Sequence, residues 1–317
     1  MSAENEQPQQ TRDVARTATA SAALMSLLLI ALAPASADAQ QLEPRAYSPA
    51  PIGLNFLGVA SSYSSGGVVT DATSPVQNVD GEVIGMAPFY ARTLGVFGRL
   101  ASVGVALPFA SATAEGEVQE VRRSVDRFGL LDPQMRLAVN LLGGPALTPA
   151  EFRSHEQRTT LGASLTVVAP FGEYDGSKLI NLGTNRWAYK TELGLSHPVG
   201  RWAFELYAGV WIFEDNDDYF GGQRREQDPL ESYQAHAVYN FRPNLWIAAD
   251  YTYYTGGATT LNGQAKQDRQ DNTRGGLTLS VPLTRSQSFK IAYARGVSTR
   301  VGSSFQTIGV TWQWVWL

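Results

Sequence analysis

Apolar and polar residues alternate along most of this chain. Between Ile52 and Leu317 the alternation recurs in about twelve segments of roughly ten residues, the length a tilted strand needs to cross the hydrocarbon layer of a membrane. The last segment is the plainest. Ile308, Val310, Trp312, Trp314 and Trp316 fall on one face, and Thr307, Gly309, Thr311 and Gln313 on the other, because successive side chains of a strand point to opposite sides. Three tryptophans in one row are a liability in water and an anchor at a bilayer interface. Leu161–Phe171, Trp187–Leu195, Trp202–Ile212, Leu245–Tyr253 and Leu277–Leu283 repeat the pattern. In Phe289–Val297 it is ambiguous: Arg295 falls in the row of Phe289, Ile291 and Tyr293, so either a bulge near Ala294 shifts the strand or Arg295 sits at the outer headgroup level.

The connections separate a barrel from a sandwich. Long polar links at 64–80, 111–124, 172–184, 214–228 and 255–272 alternate with tight ones at 94–98, 197–200, 242–244 and 284–287. Outer-membrane barrels have this asymmetry, with long outer loops and short periplasmic turns. One link on the short side, 143–158, is long; its Glu151-Phe152-Arg153 stretch is either one turn of surface helix or an extended turn. The polar rows consist largely of Gly, Ser, Thr and Asn, which suits a lumen better than bulk water. A closed barrel also leaves no strand edge exposed, as hydrocarbon requires. The expected fold is therefore all-β: a transmembrane antiparallel up-and-down β-barrel of about twelve strands.

The N-terminus supplies an export signal. Arg12 and Arg16 precede an apolar run from Ala22 to Ala33, Pro34 breaks it, and Ala35-Ser36-Ala37 has the small-x-small form of a cleavage site. The run is short of the ~20 residues that would make it a membrane anchor. The expected organisation is a cleaved signal peptide at 1–37, a periplasmic segment at 38–51 and the barrel at 52–317. Composition agrees: charged residues make up 17%, low against a usual ~25%, with Gly 30, Tyr 13 and Trp 7. Cys 0 removes disulfides, thiol nucleophiles and cysteine-ligated zinc, and a net charge of -4 without a basic patch gives no reason to expect nucleic acid.

Several strings resemble a known family. Leu42-Glu43-Pro44-Arg45-Ala46-Tyr47, Phe128-Gly129-Leu130-Leu131-Asp132-Pro133-Gln134-Met135-Arg136, Pro170-Phe171-Gly172-Glu173-Tyr174-Asp175, Asn181-Leu182-Gly183-Thr184-Asn185-Arg186-Trp187 and Arg224-Arg225-Glu226-Gln227-Asp228-Pro229 are similar to the transporter family of the MetA pathway of phenol degradation. The resemblance spans nearly all of the mature chain. It implies an outer-membrane β-barrel that passes small, often aromatic or apolar, compounds. Leu131 stands where the family pattern has a second glycine, and Leu317 follows the terminal tryptophan that barrel assembly usually reads.

Facing decides which residues can act. A lipid-facing Arg or Lys at the midplane costs ~2–4 kcal/mol, whereas a lumenal one is hydrated or paired. Setting the apolar rows outward turns Arg92, Arg136, Asn140, Arg186, Lys190, Glu192, Glu205, Gln234, His236, Asp250 and Arg274 inward. The balanced signs imply either a stiffening network or a polar lining without strong ion selectivity. Tyr207, Trp211, Phe213, Trp246 and Tyr254 share the inward rows near the inferred outer half. They form a track for aromatic rings or pack against a plug. The acidic run Glu214-Asp215-Asn216-Asp217-Asp218 lacks the spacing of a calcium loop and reads as a solvated outer loop, a place for divalent bridges to lipopolysaccharide.

No catalytic, metal or cofactor constellation emerges. Ser232 and His236 share a row but lie ~13 Å apart along the strand, too far for proton transfer. The expected function is passive passage of small molecules, aromatic or apolar compounds such as phenolics among them, across the bacterial outer membrane. The expected partners are the bilayer, lipopolysaccharide, the permeant, and the barrel-assembly machinery through the C-terminal strand. A closed structural or interaction barrel with exposed loops is the alternative, and a lipid-modifying enzyme a weaker one.

Overall fold

The computed structural model describes residues 42–69, 76–118 and 121–317; the expected signal peptide and residues 38–41 lie outside them. The strands are β1 (Asn55–Val69), β2 (Val76–Val96), β3 (Arg99–Ala106), β4 (Phe109–Val118), β5 (Val121–Leu130), β6 (Gln134–Leu142), β7 (Thr160–Val168), β8 (Ala188–Val199), β9 (Trp202–Phe213), β10 (Asn216–Tyr219), β11 (Gln223–Gln227), β12 (Leu230–Arg242), β13 (Leu245–Gly256), β14 (Thr259–Leu261), β15 (Gln264–Ala265), β16 (Gln270–Pro282), β17 (Gln287–Ser298) and β18 (Gly302–Trp316). β1, β2, β3, β6, β7, β8, β9, β12, β13, β16, β17 and β18 pair in that order, and β1 pairs back onto β18, giving the expected closed antiparallel barrel of 12 strands. The closing seam is long, with partners running from Asn55↔Trp316 to Val69↔Gly302. Closure satisfies the backbone groups that hydrocarbon cannot.

Two of the wall strands are broken and continue outward. β2 pairs with β3 through Phe89–Val96 and with β4 through its earlier residues, so β3 and β4 are one strand interrupted at Leu107-Pro108. β5 and β6 are likewise interrupted at Leu131-Asp132-Pro133. A proline has no N–H for the ladder, and the breaks sit where one is needed. The links read as loops at 64–80 and 111–124 are largely strand, templated by the long β2 rather than by any hydrophobic signal of their own. The acidic 214–218 run is also partly strand: β10, β11, β14 and β15 form a small outer sheet, in which Arg224 pairs with Asp215 at 2.5 Å and with Glu226 at 3.1 Å. At the periplasmic end, helix α1 (Pro149–Phe152) takes the helical option for 143–158, closed by a capping box between Thr148 and Glu151.

β5 ends the strand order at the outer rim, where the 169–187 connection lies beside it. Asp132 fastens that connection. Its buried carboxylate accepts from Gly172 N at 2.9 Å and from Thr184 N and Oγ at 2.8 and 2.6 Å, while Glu173 N donates to Leu130 O at 2.8 Å. Three of the separated family-like strings thus meet at one residue. Outward aromatics mark the two interfaces: Phe128, Phe171 and Trp187 above, and Trp202, Tyr239, Phe241, Tyr90, Trp314 and Trp316 below. Arg295 faces outward near the outer end of β17, and the register shift falls beyond it, opposite Thr273/Arg274.

Asp132→Ala strips the acceptor from three hydrogen bonds, so the 172–184 connection should lose about 2–4 kcal/mol of local docking free energy. Limited proteolysis of the barrel in membranes should show new cleavage between 172 and 184 with the rest of the barrel intact. An unchanged digestion pattern would count against this anchor.

Candidate functional site

The lumen is occupied by the chain's own N-terminal segment. Residues 38–51, expected on the periplasmic side, are instead threaded into the barrel over their described part, with Ala46, Tyr47 and Ala50 almost wholly buried. An irregular segment inside a protein leaves backbone groups without a ladder, and each must find a partner. The inward polar row supplies them. Glu43 N donates to Gln234 Oε1 at 3.3 Å, Arg45 N to Glu205 Oε2 at 2.6 Å and Ala46 N to the Tyr207 hydroxyl at 3.2 Å, while Asn140 Nδ2 donates to Tyr47 O at 3.3 Å. Several residues read as pore lining are therefore surrogate strand partners for the plug.

Tyr47 is the pivot of this packing. Its hydroxyl lies 2.8 Å from Ser164 Oγ and 3.0 Å from Glu192 Oε1, its ring meets Tyr207 edge-on with centroids 5.2 Å apart, and the Arg136 guanidinium lies 5.2 Å from its centroid. The ring rests on Gly162 and Gly194, which face each other on β7 and β8; a Cβ at either would overlap it. Both glycines are needed for close approach rather than for an unusual backbone angle. Arg45 does carry an unusual angle, φ +69° in a turn that follows Pro44. A side chain other than Gly or Asn is disfavoured there. Arg45 offsets this through its N–H bond to Glu205 and the placement of its guanidinium 5.6 Å from the Trp246 ring and against Asn240.

Several of the other lumenal charges are paired or hydrogen-bonded. Lys190 Nζ lies 2.6 Å from Glu192 Oε2 and Arg136 3.8 Å from Glu192 Oε1. Glu205 also accepts from Ser196 Oγ at 2.9 Å and from the Tyr207 hydroxyl at 2.7 Å. His236 and Asp250 oppose each other on β12 and β13, with Nδ1 2.7 Å from Oδ1, and Thr278 donates to the other carboxylate oxygen at 2.7 Å. Among the described residues this Asp–His pair meets no nucleophile: His236 Nε2 has no hydrogen-bond partner there, and the Ser232 hydroxyl donates to Gly209 O. Arg274 is buried on the same side, and Arg186 lies at the outer rim beside Gln227, over the Phe213 ring at 4.6 Å.

Two placements correct the sequence reading. Arg92 faces outward and is exposed, because on β2 Phe89, Ala91 and Thr93 form the buried row while Arg92 shares the other with Tyr90 and Leu94. β2 is apolar on both faces, so hydrophobicity alone could not orient it; Arg92 lies near the periplasmic turn, within reach of interfacial water. Trp246 is not in the outer half: it follows the Arg242–Asn244 turn at the periplasmic end, where it packs with Val238 and Ala248 beneath Arg45. Tyr207 and Trp246 thus serve the plug. Trp211 and Phe213 lie farther up β9 and remain half-buried, rings stacked at 6.4 Å and 8°, with Lys190 Nζ 5.8 Å from the Trp211 centroid. Sequence reasoning missed Glu43, Arg45 and Tyr47 as lumenal residues. The signal was present in the glycines at 162 and 194, on the inward rows of otherwise strong strands.

Comparisons with known proteins agree with this architecture. The chain belongs to the family described as the putative MetA pathway of phenol degradation, whose model matches residues 62–314. No curated protein matches the sequence. Among solved structures, an outer-membrane channel from Pseudomonas putida F1 superposes with a TM-score of 0.73 at 19% identity, over 87% of this chain and 100% of the other. The β domain of a Bordetella autotransporter follows at 0.52 and 11% identity, over 84% and 100%. The protein is a β-barrel of the bacterial outer membrane.

Gly194→Val should expel the Tyr47 ring, since the added methyls occupy its seat. The expected loss is about 3–5 kcal/mol of plug docking, comparable to deleting a buried aromatic side chain. A membrane-impermeant protease applied from the periplasmic side should then cut between 42 and 50. Protection equal to that of the unaltered chain would contradict this seating.

Proposed function

We propose that this protein is a passive conduit for small aromatic or apolar molecules, entered from outside and gated by its own N-terminal segment. The observation that carries this reading is the stacked Trp211–Phe213 pair, half-buried in the outer lumen above the Tyr47–Tyr207 layer. The half-buried rings offer an aromatic solute a stacking edge beside the Arg186 and Lys190 cations that lie against them. Charges of both signs lie deeper in the lumen, with Arg136 and Lys190 both on Glu192, so the passage presents little net field to an ion. The family's link to phenol degradation and the resemblance to an outer-membrane channel support the same reading. Catalysis is not part of it. The lipid bilayer is the barrel's solvent; we assign the C-terminal strand to recognition by the assembly machinery and the acidic outer loop to lipopolysaccharide contact.

A second reading has its own observation. Ala50, Leu54, Phe56, Phe89, Ala91, Leu100, Ala106 and Val315 form an apolar cluster around the exit of the plug. A permanently filled interior would make this a closed structural barrel presenting its loops. Uptake separates the two. Cells or proteoliposomes carrying the protein should accumulate a radiolabelled aromatic such as phenol or toluene faster than those lacking it. Trp211→Ala should lower the initial rate about 2–10-fold, the worth of one aromatic pairing. Equal rates with and without the protein would favour the closed barrel.

A further inference from the structure

We propose that the side of the lumen which the plug leaves open holds a binding site for a small aromatic carboxylate, with Lys290 as its cation. The proposal rests on the conduit reading above and adds a class of solute to it. The plug is fastened to one side only: the hydrogen bonds that residues 43–47 make to the wall run to β6, β7, β8, β9 and β12. There the inward rows are sealed, with Val238 on β12 and Ala248 on the neighbouring β13 wholly buried. Across the barrel, Ala292, Gly309 and Ser62 form one inward rung of β17, β18 and β1, and all three remain partly exposed. A Cβ on Gly309 would meet only Ser61 O, at 3.8 Å, so the wall there fronts on open space.

Two residues nearer the periplasm, the same wall turns polar. Lys290 on β17 faces Thr311 on β18, and Ser288 precedes Lys290 on the same inward row; all three are more than nine-tenths buried. Among the described residues, Lys290 Nζ and the Thr311 and Ser288 hydroxyls make no hydrogen bond or ion pair. They border the open lumen, unlike the sealed Gln313 Oε1 beside them. An ammonium flanked by two hydroxyl donors suits a carboxylate, whose oxygens accept from all three. Charge points the same way. Among the described residues, the buried charges on the inward rows of β16, β17, β18 and β1 are Arg274 and Lys290, both cations, whereas the plugged side carries both signs. Glu43 and Asp250 act on Lys290 from beyond ion-pair distance. A hydrocarbon leaves the ammonium unpaired, and an amine is repelled by it. Beneath the site, Phe56, Phe89 and Val315 belong to the apolar cluster at the plug's exit, so a bound solute rests above a closed exit.

The test is protection of a reporter thiol. The chain has Cys 0, so a single substitution supplies a unique reactive group. In the refolded barrel, Ala292→Cys should react with the small neutral reagent methyl methanethiosulfonate, whereas Ala248→Cys, sealed beneath the plug, should not. Benzoate should slow the reaction at Ala292→Cys about tenfold, as a bound solute covering the thiol would, and toluene, benzylamine and chloride should leave it unchanged. Adding Lys290→Met should raise the benzoate concentration for half protection about tenfold, and Thr311→Val about threefold, in line with losing a charged and a neutral hydrogen bond. Lys290→Arg should restore most of the protection. Heat-modifiable mobility in gels confirms that each variant is folded. No reaction at Ala292→Cys in a folded barrel, equal protection by chloride or toluene, or benzoate protection unchanged by both Lys290→Met and Thr311→Val would overturn the proposal. Solute uptake is read separately: benzoate protection without uptake would keep the site and remove the conduit, and uptake without benzoate protection would do the reverse.

Discussion

A peptide group left without a partner in hydrocarbon costs several kcal/mol. That penalty is the constraint on which this structure depends. It requires β1 to meet β18 along a full-length seam, and closure then divides every strand into a lipid row and a lumen row. The lipid row is apolar with aromatic girdles. The lumen row is thereby free to be polar, and it concentrates Arg136, Lys190, Glu192, Glu205, His236 and Asp250 in a space where each can be paired.

The same requirement recurs inside the barrel, where no ladder is available. The segment around Tyr47 has no regular secondary structure, and its N–H groups end on Gln234, Glu205 and Tyr207. Side chains do there what neighbouring strands do in the wall. This arrangement differs from a strand pair in one respect that matters for a conduit: side-chain partners can be replaced by water when the segment leaves, so its departure exposes no uncompensated backbone to lipid. The wall is committed to its pairing and the plug is not.

The wall was legible in the sequence because alternation is a local property, readable strand by strand. Closure, strand count and the side of each turn followed from it. Facing was legible wherever one row was clearly apolar, as on β8, β9, β12 and β18, and failed on β2, where Phe89 and Ala91 compete with Met86, Tyr90 and Leu94 and Arg92 was turned the wrong way. The plug was not legible as a plug. Its contacts join Glu43, Arg45 and Tyr47 to residues far along the chain, and nothing in an irregular segment announces a partner. Gly162 and Gly194 held the clue, as did the recurrence of family-like strings at Leu42–Tyr47 and around Asp132 whose meeting places only the fold displays.

The central claim is that the lumen is built as a passage and stopped by the chain's own N-terminal segment. Single-channel recording in planar bilayers tests it most directly, comparing the refolded protein with a form lacking residues 42–50. The account predicts low conductance for the first and a conductance several-fold higher for the second, with little ion selectivity. Indistinguishable conductance in the two forms would contradict it.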